Sequence, residues 1–160
     1  MEERDRKMNQ LKEYFQKRGD IAMAFVFGSF AQGKETPLSD FDVALLFAKY
    51  VSPQSYGARE LRIAQDIGIT IGVSEVDVIN LATIKNPLLK HRALFSGRPL
   101  FVADERCRFD AERAAMQAYE DTKYLRSTRH AILKRHIREN MFGKAPLSYG
   151  QKYMLSRYAS

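Results

Sequence analysis

One stretch limits what this chain can fold into. It is Phe25-Val26-Phe27-Gly28-Ser29-Phe30-Ala31-Gln32-Gly33, followed shortly by Ser39-Asp40-Phe41-Asp42-Val43-Ala44-Leu45-Leu46-Phe47. The pattern reads as a strand, a Gly-Ser turn, a short connector and a second strand that opens with two carboxylates. Side chains alternate across a strand, so Asp40 and Asp42 share one face and Phe41, Val43, Leu45 and Phe47 the other. The apolar face demands burial, and the acidic face is expected to stay open. Its neighbouring carboxylates repel each other unless a cation sits between them or one takes a proton. Mg²⁺, held by a few carboxylates and by substrate phosphates, suits such a place. Gly28 lets the backbone turn sharply and approach a ligand, and Ser29 opens a short helix whose free N–H groups favour phosphate. A phosphate cradle beside a carboxylate pair is the equipment of phosphoryl or nucleotidyl transfer.

Two other readings of the stretch are weaker. Gly28-x-x-x-x-Gly33-Lys34 fits most of a P-loop, but Glu35 stands where that motif needs a Mg²⁺-binding hydroxyl. A plain glycine turn between two strands with surface aspartates would leave the spacing without a purpose.

The length, 160 residues, fits one domain with room for an appended tail, and 45% hydrophobic content supplies a core. Cys107 is the single cysteine, so no intrachain disulfide forms and a reducing compartment is expected. The first residues are charged and lack the apolar region of a signal peptide. No apolar run approaches the ~20 residues that span a bilayer. The expectation is a cytoplasmic protein without membrane contact. A net charge of +7 suits a nucleotide, a nucleic acid or an acidic protein without choosing among them.

Residues 3–18 read as a structural helix, with Met8, Leu11 and Phe15 on one face and Gly19 as its stop. Residues 21–27 are a buried strand. The connector to Ser39 is barely long enough for a parallel crossover, so the two strands are expected to be antiparallel neighbours bridged by a turn of helix. Ser52-Pro53 marks a helix start running to Ile67, with Tyr56, Glu60, Ile63, Ala64 and Ile67 inward and Gly68 as its end. Residues 69–73 extend that helix or form an extra strand. A third strand covers 76–81; Val76 and Val78 share one face, while Glu75, Asp77 and Ile79 share the other. Asn86-Pro87 starts a helix that Ser96-Gly97 ends, and 99–102 is a short edge strand. His91 in that helix reads as a surface or groove-lining residue.

A long helical region follows from Asp104 to about Asn140, with an expected break near Asp110 and a core-facing seam of Met116, Tyr119, Leu125, Ile132 and Ile137. Within it, residues 122–138 hold Lys123, Arg126, Arg129, Lys134, Arg135 and Arg138, with His130 and His136 and no acid. Such a run is either a solvated face or a docking surface for acidic protein or nucleic acid. Beyond it, the stretch 147–160, with Tyr149, Tyr153 and Tyr158, reads as one further helix or a docking tail.

Gly28-Ser29, ten residues, then Asp40-x-Asp42 resembles the signature of the DNA polymerase beta-type nucleotidyltransferase superfamily. The small size and later features resemble its minimal nucleotidyltransferase (MNT) branch, many of whose members are antitoxins paired with HEPN-domain ribonuclease toxins. The resemblance covers roughly residues 20–125. It implies a polymerase beta-like α/β (α+β) fold: a small mixed sheet packed by helices, with a C-terminal helical extension. The division expected is a nucleotidyltransferase core at 1–103, a helical region at 104–140 and a tail at 141–160. It also implies a third carboxylate, for which Asp77 is the match and Glu75 the rival. Two Mg²⁺ ions would be held by Asp40, Asp42 and Asp77, with ATP as donor. Gly28 and Ser29 would hold the outer phosphates, and Lys34 would help neutralise them. The activity implied is AMP transfer from ATP to a tyrosine of a partner HEPN toxin. A non-catalytic antitoxin acting by occlusion and a small-molecule nucleotidyltransferase are the alternatives.

Overall fold

The computed structural model describes residues 2–34, 36 and 39–139. The elements run α1 (Glu2–Gln16), β1 (Ile21–Phe27), α2 (Gly28–Gln32), β2 (Phe41–Phe47), α3 (Tyr56–Ile71), β3 (Val76–Asn80), α4 (Pro87–Phe95), β4 (Arg98–Val102), α5 (Glu105–Asp121) and α6 (Lys123–Arg138). They form one compact unit up to Asp121 and a second from Thr122. Among the described residues, no helix is long and apolar enough to cross a membrane.

The sheet is mixed, in the order β3-β2-β1-β4. β1 pairs antiparallel with both β2 and β4, as expected from the short connector, while β2 and β3 are parallel. β1 and β2 are apolar nearly throughout because both of their faces are covered. On one face Ala24, Val26, Phe41, Val43, Leu45 and Phe47 meet Leu11 and Phe15 of α1 and Ile63, Ile67 and Ile71 of α3. On the other, Met23, Phe25, Phe27 and Ala44 meet Ala93 and Leu94 of α4 and Ala115 of α5. Full burial of such a side chain contributes about 1.5–3 kcal/mol. The second face is the one that carries Asp42, which corrects the expectation of an open acidic face. Ala44, Leu46 and Ile79, one pleat further along, are roofed by helices, and only the strand beginnings stay clear.

Helix ends follow local chemistry, with some departures from the sequence reading. Asn86 Oδ1 accepts from the amides of Leu88 and Leu89, and Pro87 follows it. Ser52 does not cap α3: its hydroxyl bonds the Gln54 side chain, Pro53–Ser55 form a 3₁₀ turn, and α3 begins at Tyr56. Nor does Gly68 end α3, which continues to Ile71 and stops at Gly72, whose φ is 66°. Gly68 instead sits at a close approach, where a Cβ would lie 3.0 Å from the Val73 carbonyl oxygen and crowd it. The extra turn buries Ile71, so the segment after Gly68 extends the helix. Glu60, the odd residue on the inner stripe, accepts a hydrogen bond at 3.2 Å from the buried Asn80.

α5 is unbroken at Asp110; Arg108–Glu112 and Asp110–Arg113 ion pairs span the expected break, and the helix ends at Asp121. Small residues make its contact with the core, Ala115 buried and Ala111 beside it. Met116 falls off that line and is exposed, so it does not join the expected core seam. Tyr119 stacks on His91 at 4.1 Å, and His91 stacks on Phe95 at 4.6 Å, which fixes His91 as a half-buried packing residue. α6 is taken by itself: no residue in it is buried. The tyrosines of the tail lie outside the described residues.

At the start of β1, opposite the Gly-Ser turn, Arg18 grips Asp20 at 2.7 and 2.9 Å, and Arg59 of α3 reaches the same carboxylate at 2.8 Å. Tyr14 donates to Asp66 at 2.9 Å. This network ties the end of α1 and the start of β1 to α3.

Candidate active site

β1 ends at Phe27, and the chain turns at Gly28 with φ 72°, a left-handed conformation that side chains resist. Phe27 is in register with Asp42 on β2. The Asp42 carboxylate therefore comes to lie under the turn: a Cβ built on Gly28 would meet Asp42 Oδ2 at 1.9 Å. α2 follows, and its one buried residue, Phe30, packs on Phe41 with ring centres 4.7 Å apart. Gly33 closes α2 with φ 69°; its amide donates to the Phe30 carbonyl, and the Lys34 amide donates to that of Ser29. Ser29 is half-buried at the turn, whereas the Lys34 side chain is exposed. Glu35, on which the P-loop comparison turned, lies outside the described residues.

The parallel pairing of β2 and β3 sets two acidic motifs side by side. Asp42 is in register with Asp77, and one step earlier the Phe41 amide donates to the Glu75 carbonyl at 3.1 Å. Asp40 and Glu75 precede their strands and are exposed; Asp77 is exposed on the outer strand, and Asp42 is half-buried. Burial, then the charges of Asp77 and Asp40, push the Asp42 carboxyl above its usual range. A hydrogen bond that the Glu75 carboxyl donates to the Asp40 carboxylate, and then the negative charge of Asp40, raise Glu75. The structure thus brings Gly28, Asp42 and Asp77 together, with Asp40 at the rim. Sequence reasoning treated Glu75 only as a rival of Asp77. The signal it lacked was the register, which aligns Asp40-x-Asp42 with Glu75-x-Asp77 and makes Glu75 the neighbour of Asp40.

Among the described residues, no three His, Cys, Asp or Glu side chains converge into a ready metal cage. The donor set nevertheless fits Mg²⁺, which takes one or two carboxylates and completes its shell with water and phosphate oxygens. Asp42 beside Asp77 supplies two hard oxygen donors whose mutual repulsion a cation would relieve.

A glycine turn seated on an aspartate, with a second aspartate in register on a parallel strand, is the candidate site of this chain. Residues 9–106 match the family model described as polymerase beta, nucleotidyltransferase, and the chain belongs to that family. A comparison with curated proteins finds no match. Solved structures similar in fold include a toxin–antitoxin with AMP-PNP, at 21% identity and TM-score 0.56, covering 82% of this chain and 98% of that one. Another is a tri-AMPylated HEPN toxin in complex with its MNT antitoxin, from Shewanella oneidensis, at 16% identity and TM-score 0.57, covering 84% and 98%. A third is the toxin–antitoxin MntA-HepT, at 16% identity and TM-score 0.53, covering 84% and 97%.

Proposed function

We propose that this chain is an antitoxin nucleotidyltransferase that moves AMP from ATP onto a tyrosine of a partner HEPN toxin and so silences it. The observation that carries the reading is the Asp42–Asp77 pair in register beneath Gly28, in a chain of the polymerase beta nucleotidyltransferase family. The similar toxin–antitoxin structures, one with a tri-AMPylated HEPN toxin, support the choice of partner and product. Residues 1–103 would carry the chemistry, 104–140 would form a helical extension whose basic stretch 122–138 serves docking, and the tail 141–160 would serve docking too.

Asp40, Asp42 and Asp77 would hold two Mg²⁺ ions, which when bound neutralise triphosphate charge and lower the pKa of an attacking hydroxyl. The residues of the chain do the rest. The Gly28 backbone and the Ser29 hydroxyl hold the outer phosphates, and Lys34, whose side chain is exposed, adds positive charge. The tyrosine oxygen of the partner forms a bond to the α-phosphorus as the bond to the pyrophosphate oxygen breaks. Pyrophosphate leaves, and Asp77, exposed on β3 beside Asp42, takes the hydroxyl proton. Docking positions the acceptor, so proximity replaces an acceptor pocket as the source of specificity.

The test is to incubate the chain with its cognate HEPN toxin, Mg²⁺ and ATP labelled on the α-phosphate. Label should appear on a toxin tyrosine. Neutralisation without label would favour occlusion, and label on a small molecule alone would favour the third reading.

A further inference from the structure

The charged start of α1 reaches across to the segment that carries Gly28 and Ser29. Arg4 Nη2 donates to the Phe30 carbonyl at 2.7 Å and to the Ala31 carbonyl at 2.9 Å. The guanidinium carbon lies 5.5 Å from the centre of the Phe30 ring. On its other side, a Cβ built on Gly33 would fall 2.7 Å from Arg4 Nη1. Carbonyls, an aromatic face and a bare left-handed glycine thus enclose one side chain. Its Nε is buried without a hydrogen-bond partner among the described residues, a cost that an arginine free to turn to solvent would not bear.

α2 has five residues, too few to hold a helix by its own hydrogen bonds. The last carbonyls of any helix lack partners within it, and a cation there is favourable. Two anchors outside α2 therefore fix it: Phe30 against Phe41, and Arg4 on the carbonyls of Phe30 and Ala31. We propose that Arg4 is a positioning residue for the nucleotide site, locking α2 so that Gly28 and Ser29 stay seated over Asp42. The inference rests on the nucleotide-transfer reading above. It adds a residue of α1 that touches no carboxylate of the site and acts only through the segment it grips. Lysine could reach the carbonyls but lacks the forked guanidinium that donates to both and sits over the Phe30 ring, so it replaces arginine only in part.

The experiment compares wild type, Arg4→Lys and Arg4→Met as full chains, well below their melting temperatures. Hydrogen exchange reads α2, and calorimetry with AMP-PNP and Mg²⁺ reads the site. In Arg4→Met the amides of Gly33 and Lys34 should exchange about tenfold faster while β1 and β2 keep their protection. AMP-PNP affinity should fall about fivefold or more, with Arg4→Lys in between. A purely structural arginine would speed exchange throughout and leave the affinity of the folded protein unchanged; that result, or unchanged exchange in α2, overturns the proposal. If wild type binds AMP-PNP and Arg4→Met binds it equally well, Arg4 alone is misassigned. If wild type does not bind, the nucleotide reading fails and this inference with it. Should Arg4→Met not fold, Arg4→Lys carries the same comparison.

Discussion

Asp42 occupies the space that a side chain at position 28 would need, with its Oδ2 1.9 Å from where a Gly28 Cβ would sit. The turn and the carboxylate are therefore one unit, and neither can change without moving the other. Gly28→Ala should lose transfer activity, because the left-handed turn is strained and the new methyl displaces Asp42. The strain alone costs about 1–2 kcal/mol. A thermal melt and a nucleotide-transfer assay check this; full activity in a folded Gly28→Ala protein would mean that the turn does not seat Asp42.

The pH dependence of stability follows from the same carboxyl. Asp42 is raised in the folded state, so the folded chain holds that proton more tightly than the unfolded chain. The destabilising contribution is complete above the raised folded value and vanishes as pH falls below the unfolded value. In chelator, Asp42→Asn should melt above wild type near neutral pH, and the gap should close as pH drops through the carboxylate range. Equal melting curves at neutral pH would contradict this. In the transfer assay, Asp42→Asn and Asp40→Asn should each lose ~10³-fold or more in rate if electrostatic stabilisation dominates.

Asp77 and Glu75 are separable by the register. Asp77 faces Asp42, and Glu75 interacts with Asp40 at the rim. Asp77→Asn should abolish transfer, whereas Glu75→Gln should retain most of it. Initial rates at saturating ATP decide, and the reverse ranking would make Glu75 the third carboxylate.

The acid-free helix α6 offers a test of docking. Reversing Arg126, Arg129 and Arg135 together to Glu should weaken toxin binding and leave the melting of the core unchanged. The difference should shrink at high salt, since exposed charges are screened over ~10 Å at 0.1 M. Unchanged affinity would return α6 to a solvated face.

The alternation of Phe41, Val43, Leu45 and Phe47 with Asp40 and Asp42 was enough to read β2 and its acidic side, because strand period and burial act locally. The short connector likewise fixed the antiparallel pairing of β1 and β2. What stayed hidden depended on distant partners. Gly68 reads as a helix stop until Val73 is seen folding back over it. The roof of α4 and α5 over Ala44 and Ile79 rests on contacts from residues far along the chain. Arg4, in a helix that reads as merely structural, has the charge of an ordinary solvent-facing residue. Only the fold shows the carbonyls it holds.

If the chain transfers AMP to a partner protein, the intact mass of that partner must rise. The cognate HEPN toxin is incubated with ATP and Mg²⁺, once with wild type and once with Asp42→Asn. With wild type, the toxin should gain the mass of one or more AMP groups on tyrosine and lose RNA cleavage lastingly. With Asp42→Asn, it should bind but keep its mass and regain activity on release. An unchanged toxin mass with wild type, alongside complete neutralisation by Asp42→Asn, would contradict the account and leave occlusion as the mode of inhibition.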